Sequence, residues 1–372
     1  MFDPLRRQQG QMPSQFRAPP KEPAMTFSIP LLPAQIRALR AENPKPRARD
    51  FAALHGIPEA ALVAAHAGAG VTRIDATPDR VIPHVGRMGD VMALTRNDAC
   101  VHERRGVYDP YHAGATAQMV LNEEIDLRIF PAHWVHGFAV VEDTSDGVKR
   151  SIQIFDAAGD AVHKVHLKPE SDIAAFDAAL ADLCLADQGD HLTLAPRTPV
   201  EPAKGDPARA SALRADWDRM TDTHQFLKLV RGHKMNRLGS YRVVGSPYAR
   251  ALHPLAVTQA LQAAADGKVE VMIFVGNMGC IQIHGGLIEK IVPMGPWINV
   301  MDPRFNLHLR ADKLVEVWLV NKPTKHGAIL SVEGFDARGE LILQIFGSRK
   351  YASIDGWNAI CHALPLLEQV PA

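Results

Sequence analysis

Phe155-Asp156-Ala157-Ala158-Gly159 returns 180 residues later as Phe335-Asp336-Ala337-Arg338-Gly339. Working back from this pair, residues 91–160 align with 271–340 without a gap, and 16 of the 70 positions are identical. Unrelated sequences of this composition would give roughly 5. The matches include Val91/Val271, Met92/Met272, Asn97/Asn277, Cys100/Cys280, Gly106/Gly286, Leu127/Leu307, Val135/Val315 and Ser151/Ser331. The chain is therefore an internal duplication. Inside the unit, Val315, Val317 and Leu319 alternate with Glu316, Trp318 and Val320, and Leu341, Leu343 and Ile345 alternate likewise. Period two is a strand signal. Asp-Ala-x-Gly between such runs reads as a hairpin whose glycine takes positive φ. Helical spacing marks 36–41, 59–67, 174–185, 216–231 and 257–265. The expected fold class is α+β, a tandem duplication of an antiparallel β-sheet unit with flanking helices.

Residues 187–210 carry four prolines and few large apolar groups. That composition predicts a linker. It divides an N-terminal repeat, 25–186, from a C-terminal repeat, 211–372. Residues 1–24 are rich in Pro, Gln and Arg and hold no apolar core of a signal peptide. They read as a disordered tail, with patterned sequence starting at Met25.

The chain has 372 residues, 47% hydrophobic and 22% charged, and its 41 basic side chains balance 41 acidic ones. Neutrality argues against a dedicated nucleic-acid binder. No apolar run reaches the length of a membrane span. Cys100, Cys184, Cys280 and Cys361 stand far apart with no CxxC pair. They suit a reduced compartment, and cytoplasm is the expected location.

Three motifs carry candidate chemistry. Residues 47–62, from Arg47 through Gly56-Ile57 to Leu62, have the pattern of a helix-turn-helix. This is either a DNA reader or a helical hairpin used for packing, and the neutral charge favours packing. His133 and His136 flank Trp134, but strand geometry places them on opposite faces, awkward for a shared metal. Thr221-Asp222-Thr223-His224-Gln225-Phe226 opens a helix, with Thr221 or Asp222 near the N-cap. His224 lies roughly 200° around from Phe226, away from the apolar face. There is no phosphate loop, HExxH or Gly-x-Ser-x-Gly.

Taken together, three stretches resemble one family: the 221–226 motif, Ile125-Asp126-Leu127-Arg128-Ile129-Phe130, and Trp297 through Asp302-Pro303-Arg304-Phe305-Asn306-Leu307-His308. Val320-Asn321-Lys322-Pro323-Thr324 and Ile345-Phe346-Gly347-Ser348-Arg349-Lys350 extend the likeness over roughly residues 30–370. The chain is similar to the cytoplasmic haem-trafficking proteins of Gram-negative bacteria known as hemin-degrading factors. The resemblance implies two stacked, duplicated halves with haem b held in the cleft between them. It also implies receipt of haem from an inner-membrane ABC importer, then delivery to a haem oxygenase or opening of the ring.

The resemblance further assigns His224 as proximal iron ligand and Arg128 as distal cation. Arg237, Lys322 and Arg349 fall near the propionates. Imidazole suits haem iron and guanidinium suits carboxylate. Arg128 has His308 as its repeat partner, so the halves diverge there. His102 is the candidate for a secondary haem site proposed in some relatives. Leu227 replaces an aromatic frequent in the family. Three readings result: a haem carrier, a haem-degrading enzyme using the same site, or a DNA-binding regulator built on 47–62.

Overall fold

The computed structural model describes residues 31–348 and 354–367; the tail at 1–24 and Arg349 lie outside the described residues. The nine N-terminal strands are β1 Val71–Ile74, β2 Val91–Arg96, β3 Cys100–Gly106, β4 Tyr111–His112, β5 Gln118–Leu121, β6 Asp126–Ile129, β7 His136–Thr144, β8 Gly147–Phe155 and β9 Ala161–Leu167. The nine C-terminal strands repeat the series: β10 Ala249–Leu252, β11 Val271–Gly276, β12 Cys280–Gly286, β13 Ile291–Met294, β14 Trp297–Met301, β15 Phe305–Arg310, β16 Glu316–Lys322, β17 Ile329–Phe335 and β18 Leu341–Gly347.

Two antiparallel nine-stranded sheets result, and each draws on both halves of the sequence. The first runs β1-β7-β8-β9-β2-β3-β15-β14-β13, the second β10-β16-β17-β18-β11-β12-β6-β5-β4. The halves thus exchange three strands apiece. The exchange is symmetric to the residue: Leu309 pairs with Cys100 as Ile129 pairs with Cys280. The repeated asparagines stitch it. Asn97 Oδ1 accepts from the Ala99 and Cys100 amides, while its Nδ2 donates to the Gly276 and Ile342 carbonyls. Asn277 does the same for Gly279 and Cys280 and donates to Arg96 and Val162.

Helices repeat as well. Pro78–Arg87 and Ile173–Leu183 cover one sheet, and Ala256–Asp266 and Ile354–Ala363 cover the other, each pair over its own apolar core. The hairpins form as the sequence predicts. Gly159 and Gly339 sit at φ +86° and +84° between β8/β9 and β17/β18, and Asp156 Oδ1 accepts from Ala158 N and Asp160 N.

Four local expectations change. The helical run at 216–231 breaks into Ala210–Asp218, a 3₁₀ turn Thr223–Gln225, and Phe226–Gly232. Gln225 Oε1 takes the Thr221 amide and Asp222 takes the His224 amide, so side chains replace the backbone acceptors a helix would use. Pro131–His133 is also a 3₁₀ turn, and β7 begins only at His136. β16 is buried on both faces, because Val317 and Leu319 enter one core while Trp318 and Val320 enter another under the helices. The 187–210 segment is extended but docked: Ala195 N bonds Ala157 O at 2.8 Å and Asn236 N bonds Lys204 O at 3.0 Å.

Candidate functional site

His224 stands on the 3₁₀ turn with its side chain 92% exposed. Asp222 fixes it twice, accepting from the His224 amide at 2.8 Å and from Nδ1 at 2.6 Å. A carboxylate only accepts, so Nδ1 carries the proton and Nε2 keeps its lone pair outward. A carboxylate behind an imidazole is the usual support of a metal-binding histidine. The helix that follows is anchored by Phe226 and Val230, which pack with Trp217, Tyr241, Trp318 and Phe335. This aromatic cluster sets the turn above β16 and β17.

Register shows what lies beside it. Paired residues of an antiparallel sheet project from one face. Glu333 pairs with Gln344, Gln344 with Phe274, Phe274 with Ile283, and Ile283 with Asp126. Ile281 pairs with Arg128 on the same face. The floor between the helices and Arg128 is therefore Gln344, Phe346, Met272 and Phe274, all half-buried, with the two phenyl rings 5.1 Å apart edge to face. β17 and β6 are four strands apart in the sheet order, roughly 19 Å along a flat sheet. The face has room for a flat macrocycle, with the helix that follows His224 packed at one end and Arg128 at the other. Arg128 is half-buried, paired with Asp126, and donates to Leu127 O at 3.2 Å. It comes from the N-terminal half only because β6 is exchanged.

Arg237 and Lys322 come together, but on Glu333. The buried carboxylate accepts from Lys322 Nζ at 2.7 Å and Arg237 at 2.9 Å. Burial pushes its carboxyl upward, but the two cations outweigh that and hold it down at about 2. Burial lowers the Lys322 ammonium, opposed by Glu333.

The other sheet carries the duplicated counterpart of this face, with a cavity of about 810 Å³. Its chemistry differs. Phe346, Gln344, Ile283 and Gly276 correspond to His166, Lys164, Glu103 and Arg96. Glu59, on the helix Glu59–Ala64, pairs there with Arg96 and Lys164. Arg128 becomes His308, whose Nδ1 bonds Asn299 Oδ1 at 2.7 Å. An ion-filled floor does not suit an apolar ring, whereas the phenyl floor does. The floor residues were hidden in the sequence, although comparing the two copies position by position points to them.

Two candidates are corrected. His102 is completely buried, its ring 4.9 Å from Phe305, so no macrocycle reaches it. The 47–62 hairpin forms as Ala48–Leu54 and Glu59–Ala64 around Gly56 at φ +63°. Its second helix buries Glu59, Ala60, Leu62 and Ala64, leaving no face for a DNA groove.

Residues 56–183 and 234–364 each match the family model of the haemin-degrading HemS.ChuX domain. The chain belongs to this family. It is 39% identical to the hemin transport protein HmuS of Yersinia pestis over 83% of this chain and 90% of that protein. The crystal structure of holo-PhuS, a heme-binding protein from Pseudomonas aeruginosa, superposes with a TM-score of 0.86 at 39% identity, covering 91% of this chain and 100% of that one. ChuS, described as an E. coli heme oxygenase, gives a TM-score of 0.80 at 31% identity over 88% and 99% of the two chains. Among the described residues no helix is long and apolar enough to cross a membrane.

Proposed function

We propose that this chain binds one haem on the phenyl-floored face and carries it through the cytoplasm. The observation behind this reading is His224, an exposed imidazole with Nδ1 locked by Asp222, two residues before Phe226, whose ring lies against the buried Lys322 and Arg237. His224 supplies the axial nitrogen. Arg128 faces the sixth position, and Arg237, Lys322 and Arg349 serve the carboxylates. The haem comes from an inner-membrane ABC importer and leaves to a haem oxygenase. Haem degradation on the same site is the second reading, favoured by the heme oxygenase ChuS among its relatives. It requires electrons from outside, since nothing in the sequence resembles a flavin or nicotinamide site.

A hemin titration followed in the Soret region tests binding. One equivalent is expected, and His224→Ala should shift the Soret maximum and weaken binding. An unchanged spectrum removes His224 as ligand. Loaded protein is then mixed with ascorbate and catalase. Retained haem that passes to a separate oxygenase supports carriage. Stoichiometric haem loss with CO and a linear tetrapyrrole makes the chain an enzyme.

A further inference from the structure

Four donors converge on Glu333, a fully buried carboxylate on β17. Lys322 Nζ lies at 2.7 Å, Arg237 at 2.9 Å, the Tyr241 hydroxyl at 2.8 Å and the Ser331 hydroxyl at 2.8 Å. Both cations also lie against the Phe226 ring, Lys322 Nζ 4.8 Å and Arg237 Cζ 5.3 Å from its centre. Phe226 begins the helix whose preceding turn carries His224. The cluster is therefore continuous with the candidate site.

Its charges do not balance: two cations share one carboxylate. A buried excess charge is costly unless something pairs with it. The excess has an outlet, because Lys322 is 4% exposed but Arg237 is 21% exposed. The duplication supplies an internal comparison. At the repeat positions of Ser331, Glu333 and Lys322 stand Ser151, Gln153 and Glu142, and the helix that Arg237 opens has its counterpart opened by Glu59. The other half also puts two cations on one carboxylate, Arg96 and Lys164 on Glu59, but it builds that cluster from different positions of the repeat.

We infer that Glu333 is a positioning and specificity-determining residue, holding Lys322 and Arg237 as a seat of net charge +1 that is completed by one free carboxylate of the bound tetrapyrrole. This rests on the haem reading. The preference for a free acid is then set by the charge count of the cluster and not by either cation alone. Tyr241 and Ser331 keep the acceptor aimed when the seat is empty.

The test compares hemin with hemin dimethyl ester by Soret titration of the full chain. Wild type should prefer the free acid by roughly tenfold or more, the usual worth of a charge-assisted bond. Lys322→Gln makes the cluster neutral, and the preference should fall towards one. Lys322→Gln with Glu333→Gln leaves Arg237 alone, again +1, and the preference should return. Further loss in the double variant, equal for both ligands, assigns Glu333 a merely structural role and overturns the inference. If the double variant does not fold, Ser331→Ala serves, since it removes a donor but no charge. An intact preference there supports the inference, and a lost one overturns it. Equal binding of both ligands by wild type also defeats it while leaving haem binding in place. A wild-type chain with no Soret response defeats the proposed function instead.

Discussion

At the scale of single residues, Asp222 does two separable things. It caps the turn through the His224 amide and polarises the imidazole through Nδ1. Asp222→Asn keeps an acceptor for the amide but loses the charge behind the ring. Hemin affinity should fall by about 10- to 100-fold, the usual cost of losing a supporting carboxylate, with an unchanged melting temperature. Asp222→Ala should add a stability loss of about 1 kcal/mol for the missing cap. Stopped-flow hemin transfer and thermal melts separate the two; equal affinity in wild type and Asp222→Asn would remove the carboxylate from ligand tuning. The exposure of His224 was legible in the sequence, which turned it away from its apolar neighbours, whereas its role as iron ligand came from the family resemblance alone. Phe274 and Phe346 were not legible. Their face becomes a floor only once β12 has accepted β6, and residue type does not record that register.

At the scale of elements, the hairpins were legible and the helix break was not. Asp156 and Gly159 signal their own turn through a short side chain and a positive φ. The 216–231 run keeps helical spacing across its interruption, so periodicity missed a break made by Gln225 and Asp222. The linker composition at 187–210 likewise suggested a free tether, whereas the segment is fixed by local fit. A Cβ at Gly239 would stand 1.9 Å from the Lys204 carbonyl oxygen, which accepts the Asn236 amide. Gly239→Ala should therefore lift the segment off the helix Arg237–Val244. Overpacking of this kind costs about 1–3 kcal/mol. Limited proteolysis should gain a cut between 199 and 208, and an unchanged digest would mean that the helix yields instead.

At the scale of the molecule, the duplication was legible but the strand exchange was not, because identity between copies does not say which copy a strand pairs with. The exchange buries titratable groups where the halves meet. His163 Nδ1 bonds Thr95 at 2.8 Å beside Cys280, and His284 stacks on Phe305 at 3.8 Å. Burial lowers both imidazoles to about 3, with His166 adding to the shift of His163 and Arg104 to that of His284. A folded pKa below the unfolded value of about 6.5 gives stability that is present above that pH and lost as pH falls towards 3. Each group costs about 1.4 kcal/mol per pH unit, so two of them remove on the order of 5 kcal/mol between pH 6.5 and 4.5. Urea midpoints should drop steeply over this window, and less so in a His163→Gln variant. A flat profile would mean that neither ring is held neutral. The same exchange decides how the chain can be divided. Residues 25–186 contain β6 and Arg128 but not the sheet on which β6 lies, and residues 205–372 contain His224 and the Glu333 cluster but not β6. Each fragment has three strands without their partner and a bare edge at β3 or β12, which invites pairing with a second copy. Each alone should associate on size exclusion and bind hemin poorly. Mixed during refolding, they should form a one-to-one complex with the wild-type Soret spectrum. Full hemin affinity in a monomeric 205–372 would show that β6 contributes nothing to the site, and Arg128 would lose its place opposite His224.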